Sequence, residues 1–133
     1  MMPISVLVVD TNPAFLRFVV QYLEEQHSAE ICVAGAAFRK PDALALATLY
    51  SPRVALVGVS GPISGALQLI ADLRRQLPSL VVVVMSQLGS AGYAQIALEA
   101  GAAAFVDKDQ LRADLASALL QAAYSATPIQ TLS

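Results

Sequence analysis

The chain has 133 residues, enough for one domain with a sizeable core and with little left for a second. Its net charge of −2 gives no broad attraction for nucleic acid, and its single cysteine excludes disulfide and cysteine–metal frameworks within one chain. Hydrophobic residues make up 56% and charged residues only 14%, so a membrane or a protein partner has to be considered.

The distribution of apolar residues argues against a membrane protein. The longest uncharged segment, 76–98, is interrupted by Pro78 and Gly89, so we do not expect one spanning helix. The N-terminus has no basic region ahead of its first apolar run, which disfavours a secretory signal, and we expect a cytoplasmic protein. Cys32 lies in an apolar run and is expected to be a buried, reduced thiol.

Apolar runs of strand length alternate along the chain with segments of helical periodicity. The predicted strands lie at 4–9, 31–34, 54–57, 80–85 and 103–106. The predicted helices follow them in turn, at 13–27, 41–50, 65–76, from the loop at 88–90 to residue 100, and at 109–124. Asn12 is the expected N-cap of the first helix, and Gly101 provides a C-terminal stop for the fourth.

Five strands that alternate with five helices predict parallel β–α–β crossovers. The expected fold is therefore an α/β domain, a doubly wound five-stranded parallel sheet flanked by five helices. We expect this domain to occupy residues 1–124, with 125–133 as a tail or a truncated linker. In such sheets functional groups gather beyond the carboxyl ends of the strands. The residues predicted at those ends are Asp10, Gly58, Ser86 and Lys108.

Several of these strand-end residues match one family by position. Asp10 closes the first strand, Ser86 closes the fourth, and Lys108 follows the fifth, with the aromatic Phe105 three residues before it. Together they resemble the receiver domain of bacterial two-component response regulators, and the Asn-Pro start of the first helix resembles the transcription-regulating subfamily. The resemblance implies strand order 2-1-3-4-5, a role in phosphorelay signal transduction, and a switch aromatic at Phe105.

The resemblance fails where receivers carry the phosphorylated aspartate. That aspartate ends the third strand in the family, whereas here Val57 is followed by Gly58. Thr11 replaces the second of two acids after the first strand, and Gly65-Ala66 replaces an Asp-Gly pair at the third helix. Autophosphorylation needs a carboxylate nucleophile and Mg²⁺ held by acidic oxygens. We therefore expect no catalytic residue, no enzymatic activity, no cofactor, and weak or absent Mg²⁺ binding.

Loss of the acceptor carboxylate leaves Asp10 and Lys108 as the charged residues of the pocket. We expect Lys108 to contact Asp10 directly and to hold the pocket in one arrangement. The alternative is that both side chains stay solvated, in which case the pair would contribute only ~0–1 kcal/mol. Ser86 is more simply interpreted as a hydroxyl that caps its own loop, and Phe105 as core or half-buried packing.

The sequence is interpreted as a pseudo-receiver, a non-enzymatic module that recognises a protein partner or a second copy of itself without phosphorylation. The region of the fourth helix, fifth strand and fifth helix is low in charge and is the expected interaction surface, with no nucleic acid or membrane contact within this chain. Its candidate residues are Tyr93, Ile96, Leu120, Ala123 and Tyr124. The alternative is that these residues complete the core.

Two other functions stay open. The Gly- and Ser-rich segment 58–65 precedes a helix, so its backbone N–H groups could bind the anionic part of a small molecule or nucleotide, although its spacing matches neither a P-loop nor the dinucleotide fingerprint. The other is a working receiver in which Asp10 or Ser60 accepts the phosphoryl group. Asp10 lies on a neighbouring strand, and the sequence shows no base for Ser60.

Overall fold

The structure is a computed structural model that describes residues 2–87 and 91–125. Within these residues five strands alternate with five helices, as predicted. The strands are β1 Ile4–Val9, β2 Ile31–Ala37, β3 Val54–Val59, β4 Val81–Ser86 and β5 Ala104–Asp107. The helices are α1 Pro13–Gln26, α2 Lys40–Tyr50, α3 Ile63–Gln76, α4 Ala91–Glu99 and α5 Leu111–Ser125. A 3₁₀ turn, Lys108–Gln110, joins β5 to α5.

The strands form one parallel sheet in the order β2-β1-β3-β4-β5. This confirms both the doubly wound sheet that the alternation predicts and the strand order that the resemblance implies. β1 and β3 are neighbours, with Val9 opposite Val57. The next residues along the two strands, Asp10 and Gly58, therefore lie side by side at the carboxyl edge of the sheet.

The core has two halves, one on each face of the sheet. Val8 and Leu56 pack with residues of α1 and α5, whereas Val9 and Val57 pack with residues of α2 and α3. Burial on both faces explains why the strands read as continuous apolar runs. Successive side chains of a strand point to opposite faces, so positions 10 and 58 face the α1–α5 side.

Helix boundaries follow local backbone chemistry. The side chain of Asn12 accepts hydrogen bonds from the N–H groups of Ala14 and Phe15, which confirms it as the N-cap of α1. Gly101 has φ of +111°, a value that favours glycine, and it ends the α4 turn as predicted. The start of α3 was predicted two residues too late, because Pro62 is extended and acts as the N-cap before Ile63.

Four strands differ from the prediction: β2 and β3 are longer, and β4 and β5 each begin and end one residue later than predicted. β2 continues to Ala37, and β3 continues through Gly58 to Val59 because these two residues pair with Met85 and Ser86 of β4. A glycine and the residues beside it were expected to form a loop. The hydrogen-bonded ladder outweighs the low strand preference of glycine here.

Two expected side-chain environments are wrong. Cys32 is exposed rather than buried, because β2 is an edge strand with a neighbour on one side only and Cys32 lies opposite Ser5 near the start of that strand. Ala123 was expected on the interaction surface but is fully buried. Helical spacing places it four residues after the buried Leu119, on the inward side of α5.

The uncharged segment 76–98 is divided between the end of α3, strand β4 and part of α4, and its predicted loop at 88–90 lies outside the described residues. None of the helices in 2–87 and 91–125 combines the length and apolar character that a membrane crossing requires. Ser125 belongs to α5 rather than to a tail, and the rest of the predicted tail, 126–133, is not among the described residues.

Candidate functional site

Polar residues from three strand ends meet at the carboxyl edge of the sheet. Asp10 directly follows β1, Ser60 directly follows β3, and Lys108 begins the 3₁₀ turn after β5. Gly58 lies within β3 beside Asp10. The fold thus brings together residues that are far apart in the chain, at the edge where the sequence predicts functional groups.

The centre of this site is a buried ion pair. The Nζ of Lys108 donates a hydrogen bond of 2.8 Å to Oδ2 of Asp10, and the two side chains are 5% and 0% exposed. The direct contact expected from the sequence is present, and the solvated alternative is wrong. The ~0–1 kcal/mol typical of surface pairs therefore does not apply, because a buried charge that loses its partner has no water to replace it.

A third residue completes the contacts of the pair. The hydroxyl of Ser60 donates to Oδ1 of Asp10 at 2.7 Å and accepts a hydrogen bond from Nζ of Lys108 at 2.8 Å. Asp10, Ser60 and Lys108 are called the Asp10 network below. Oδ1 of Asp10 also accepts from the backbone N–H of Asn12 at 2.9 Å, and Nζ of Lys108 lies 4.2 Å from the ring centroid of Phe15. The carboxylate and the ammonium group are thus held from several sides.

Gly58 is required by this arrangement. A Cβ atom built at position 58 would lie 1.9 Å from Oδ2 and 2.7 Å from Cγ of Asp10, far inside van der Waals contact. The carboxylate of Asp10 therefore fills the volume that any side chain at position 58 would need. An aspartate at position 58 and the observed Asp10–Lys108 contact exclude each other.

The remaining pocket positions lie around the network. Ser86 is buried, and its hydroxyl donates to the carbonyl of Gln87 at 3.4 Å, in agreement with its interpretation as a loop cap. Phe105 is half-buried and packs against the core half that contains α2 and α3, as the packing interpretation expects. Thr11 is exposed.

Sequence reasoning missed the part played by Ser60. No base for this hydroxyl was expected, yet its proton is directed at the carboxylate of Asp10. The alternation of β3 contained the signal, because residues 56, 58 and 60 belong to one row on the side of the sheet that Asp10 also faces. The extension of β3 beyond Val57, which the glycine concealed, is what carries this row to Ser60.

The acidic groups near the site are already engaged. Both oxygens of Asp10 accept hydrogen bonds within the structure, and Oδ1 of Asp107 accepts from the backbone N–H of Asp109. Throughout the part of the chain that the structure describes, no group of three or more His, Cys, Asp or Glu side chains is placed to hold a metal ion.

The expected interaction residues are distributed around the β5 edge of the sheet. Ile96 on α4 and Tyr124 on α5 are 39% and 44% exposed, whereas Tyr93 and Leu120 are half-buried. Tyr93 packs toward one half of the core and Leu120 toward the other, with the edge strand β5 between them. Tyr124 lies at the opposite end of its helix from the Asp10 network.

Comparison with known proteins identifies the family. A sequence profile described as the response regulator receiver domain matches residues 6–120. The chain belongs to the response regulator receiver family. A Pseudomonas aeruginosa protein described as a putative transcriptional regulator is 33% identical over 118 residues, which are 89% of this chain and 54% of that protein. The chain thus spans about half the length of this curated relative.

Solved structures agree with this assignment. The receiver domain of the putative response regulator NarL from Mycobacterium tuberculosis is 29% identical, with a TM-score of 0.80 over 93% of this chain and 98% of that one. A LuxR-family two-component response regulator from Aurantimonas sp. SI85-9A1 has the same TM-score at 20% identity, covering 93% and 87% of the two chains, and supports the fold alone. The chain is therefore a receiver domain of two-component signalling, a family whose members interact with partner proteins and form dimers.

The steric requirement at position 58 predicts the effect of one methyl group. In Gly58→Ala the added methyl forces the carboxylate of Asp10 away from Lys108 and leaves both charges poorly compensated. We expect a loss of about 2–4 kcal/mol in the free energy of unfolding, measured by urea denaturation.

Gly35→Ala is the matched control, because a Cβ at this strand position would meet its nearest atom, Cδ1 of Leu46, at 3.4 Å. We expect it to change stability by less than about 1 kcal/mol. Equal losses in the two variants would contradict a special contact between position 58 and Asp10.

Burial of the ion pair predicts strong coupling between its two members. Lys108→Met leaves the Asp10 carboxylate buried without a cation, so we expect a loss of about 3–5 kcal/mol. Adding Asp10→Asn removes the stranded charge and should recover part of that loss in a double-mutant cycle of urea denaturation curves.

Lys40→Met is the control for removing a lysine from an ion pair. Lys40 pairs with Asp72, but its side chain is 41% exposed, so its loss should be much smaller. Additive effects of the Asp10 and Lys108 substitutions would show that the buried pair is not an energetic unit.

Proposed function

We propose that this receiver signals without phosphorylation, as a non-enzymatic pseudo-receiver that acts through protein–protein contact. The observation that supports this proposal is the position of the Asp10 carboxylate, which fills the volume of the missing side chain at Gly58. Lys108, the residue that matches the phosphate-contacting lysine of receivers, is occupied by Asp10 and Ser60. The pocket thus contains its own anion where the phosphorylated group would stand.

Ser60 is the remaining candidate for a substitute acceptor, since its hydroxyl donates to Asp10 at 2.7 Å. This is the geometry of a nucleophile and a base. A phosphoryl group on Ser60 would, however, place further negative charge beside the buried Asp10 carboxylate, with Lys108 shared between the two anions. The same contact that supplies a base therefore opposes the product, and we favour the phosphorylation-independent function.

We also propose that Mg²⁺ binds weakly or not at all. Mg²⁺ requires near-octahedral oxygen ligands and releases its water reluctantly. The oxygens of Asp10 are engaged by Lys108, Ser60 and the N–H of Asn12, so an ion would first have to displace these donors. Thr11 offers a neutral hydroxyl where the family has an acid. The donor set therefore does not fit this metal.

The proposed partner surface is the edge of the sheet formed by α4, β5 and α5. Exposed apolar side chains on α4 include Ile96 and Leu98, which are 39% and 45% exposed, and the helix contains a single charged residue, Glu99. An apolar helix beside an edge strand is suited to burial against another protein. A second copy of this chain would bring an equally apolar and weakly charged surface to the contact. A homodimer is therefore the simplest arrangement.

The central test is incubation with acetyl phosphate and Mg²⁺ followed by intact-mass measurement. We expect the mass to stay unchanged, because position 58 offers no nucleophile and a phosphoryl group on Ser60 would stand beside the buried carboxylate of Asp10. A receiver that retains its acceptor aspartate is the positive control, since it shows that acetyl phosphate is an active phosphodonor under the same conditions. A stoichiometric phosphoryl adduct would overturn the proposal, and Ser60→Ala and Asp10→Asn would then locate it.

The partner surface is tested by one substitution on α4. Sedimentation velocity of the unmodified chain should show self-association that increases with concentration, and Ile96→Asp should shift it toward the monomer, because a charge would be buried in the interface. Leu49→Asp is the matched control, since Leu49 is more exposed, at 68%, and lies on α2. A monomer at every concentration, or equal effects of both variants, would contradict a homodimer through this surface.

A further inference from the structure

A cleft of about 520 Å³ lies at the carboxyl edge of the sheet, between the ends of β1 and β3 and the start of α3, and adjoins the Asp10 network at Ser60. Its floor is formed by Val9, Val57 and Val59, whose side chains face the α2–α3 half of the core. Phe38, just before α2, and Gly65, in the first turn of α3, also line it. This feature is called the α2–α3 cleft. Its volume falls within the range of roughly 300–1,000 Å³ that is usual for small-molecule sites.

Small residues at the start of α3 create the cleft. A Cβ at Gly65 would have no atom within 4 Å, and Ala66 follows it along the lining. The ring of Phe38 is 48% exposed although it borders an apolar floor. The valines of the floor are already buried, so an apolar molecule in the cleft would chiefly remove the ring of Phe38 from water, and that burial would favour binding.

The polar groups of the lining favour an uncharged ligand. They include the hydroxyls of Ser60 and Ser64 and the amide of Gln68, which can form hydrogen bonds without adding charge. The cation of the lining, Lys40, is paired with Asp72, and the hydrogen bond from Lys40, followed by that from Arg75, holds the pKa of Asp72 below its usual value. The positive charge at the rim is therefore already compensated.

We infer that the α2–α3 cleft binds an uncharged, mainly apolar small molecule whose hydrogen-bonding group meets the hydroxyls of the lining. This ligand site goes beyond the proposed partner contact, and it adjoins the receiver pocket, because Gly58 and Ser60 also line the cleft. It also differs from an anion site at the segment 58–65, because the ring of Phe38 supplies the apolar contact and Lys40 is already paired with Asp72.

Ser60 connects the cleft to the Asp10 network. The residue lines the cleft, and its Oγ is hydrogen-bonded to both Asp10 and Lys108. A ligand N–H that donates to Oγ of Ser60 meets an oxygen that already accepts a hydrogen bond from Nζ of Lys108, so it weakens the contact between Ser60 and Lys108. Ligand binding in the cleft thus changes the contacts of the buried ion pair. The pocket therefore responds to a small molecule instead of to phosphorylation.

The probe for the test is N-phenyl-1-naphthylamine, an uncharged apolar fluorophore with one N–H group. Its fluorescence should increase saturably with the unmodified chain, and Gly65→Leu, which fills the cleft, should weaken binding by about tenfold or more. Gly92→Leu is the matched control, because Gly92 also lies in a helix with no atom within 4 Å of its Cβ and does not line the cleft. It should bind the probe as the unmodified chain does.

Amide chemical shifts of the unmodified chain provide a measurement that does not depend on any variant folding. On titration with the probe, the largest shifts should occur at Gly58, Gly61 and Gly65, all of which line the cleft. No saturable binding, equal binding by both leucine variants, or shifts centred elsewhere would overturn the ligand site.

The link through Ser60 has its own readout. The N–H of Asn12 bonds to Asp10 and lies outside the cleft lining, so its shift should follow probe saturation in the unmodified chain and lose that response in Ser60→Ala. Probe binding without a response at Asn12 would overturn the coupling.

Discussion

The carboxyl edge of this sheet is organised by the burial of one ion pair, Asp10 with Lys108. Two opposite charges removed from water are costly unless each finds further partners, and here Ser60, the N–H of Asn12 and the ring of Phe15 provide them. The ends of β1, β3 and β5 are thereby joined by side chains as well as by the sheet. These contacts hold the first residues of the loops that follow the three strands in place.

The parallel sheet makes this pairing possible. Asp10 and Lys108 are separated by 98 residues, but the order β2-β1-β3-β4-β5 brings the ends of their strands to one edge. The same alternation of β3 that buries Val57 on one face directs position 58 toward Asp10 on the other. Strand β3 therefore contributes both to the floor of the α2–α3 cleft and, through the missing side chain of Gly58, to the space that the Asp10 carboxylate fills. Ser60 follows directly after this strand.

Much of this architecture could be predicted from the sequence, because hydrophobic periodicity reports burial directly. Strand and helix order and the strand-end positions of Asp10 and Lys108 follow from it, whereas the cap at Asn12 follows from the residue types at the start of the helix. Burial of the ion pair could not be predicted, since it depends on how Phe15 and the loops close over the edge. Cys32 and Ala123 were misplaced because local apolarity does not distinguish an edge strand from a central one, or an inward alanine from an outward one.

The missing Cβ of Gly58 also makes the effects of substitutions at two positions interdependent. With Asp10 in its present place, an aspartate introduced at position 58 meets a carboxylate oxygen before it can meet a phosphodonor. A return toward receiver chemistry therefore requires Asp10 to move or to be replaced, and that change breaks its present contact with Lys108. The effect of a substitution at either position therefore depends on the residue at the other, which makes positions 10 and 58 epistatic.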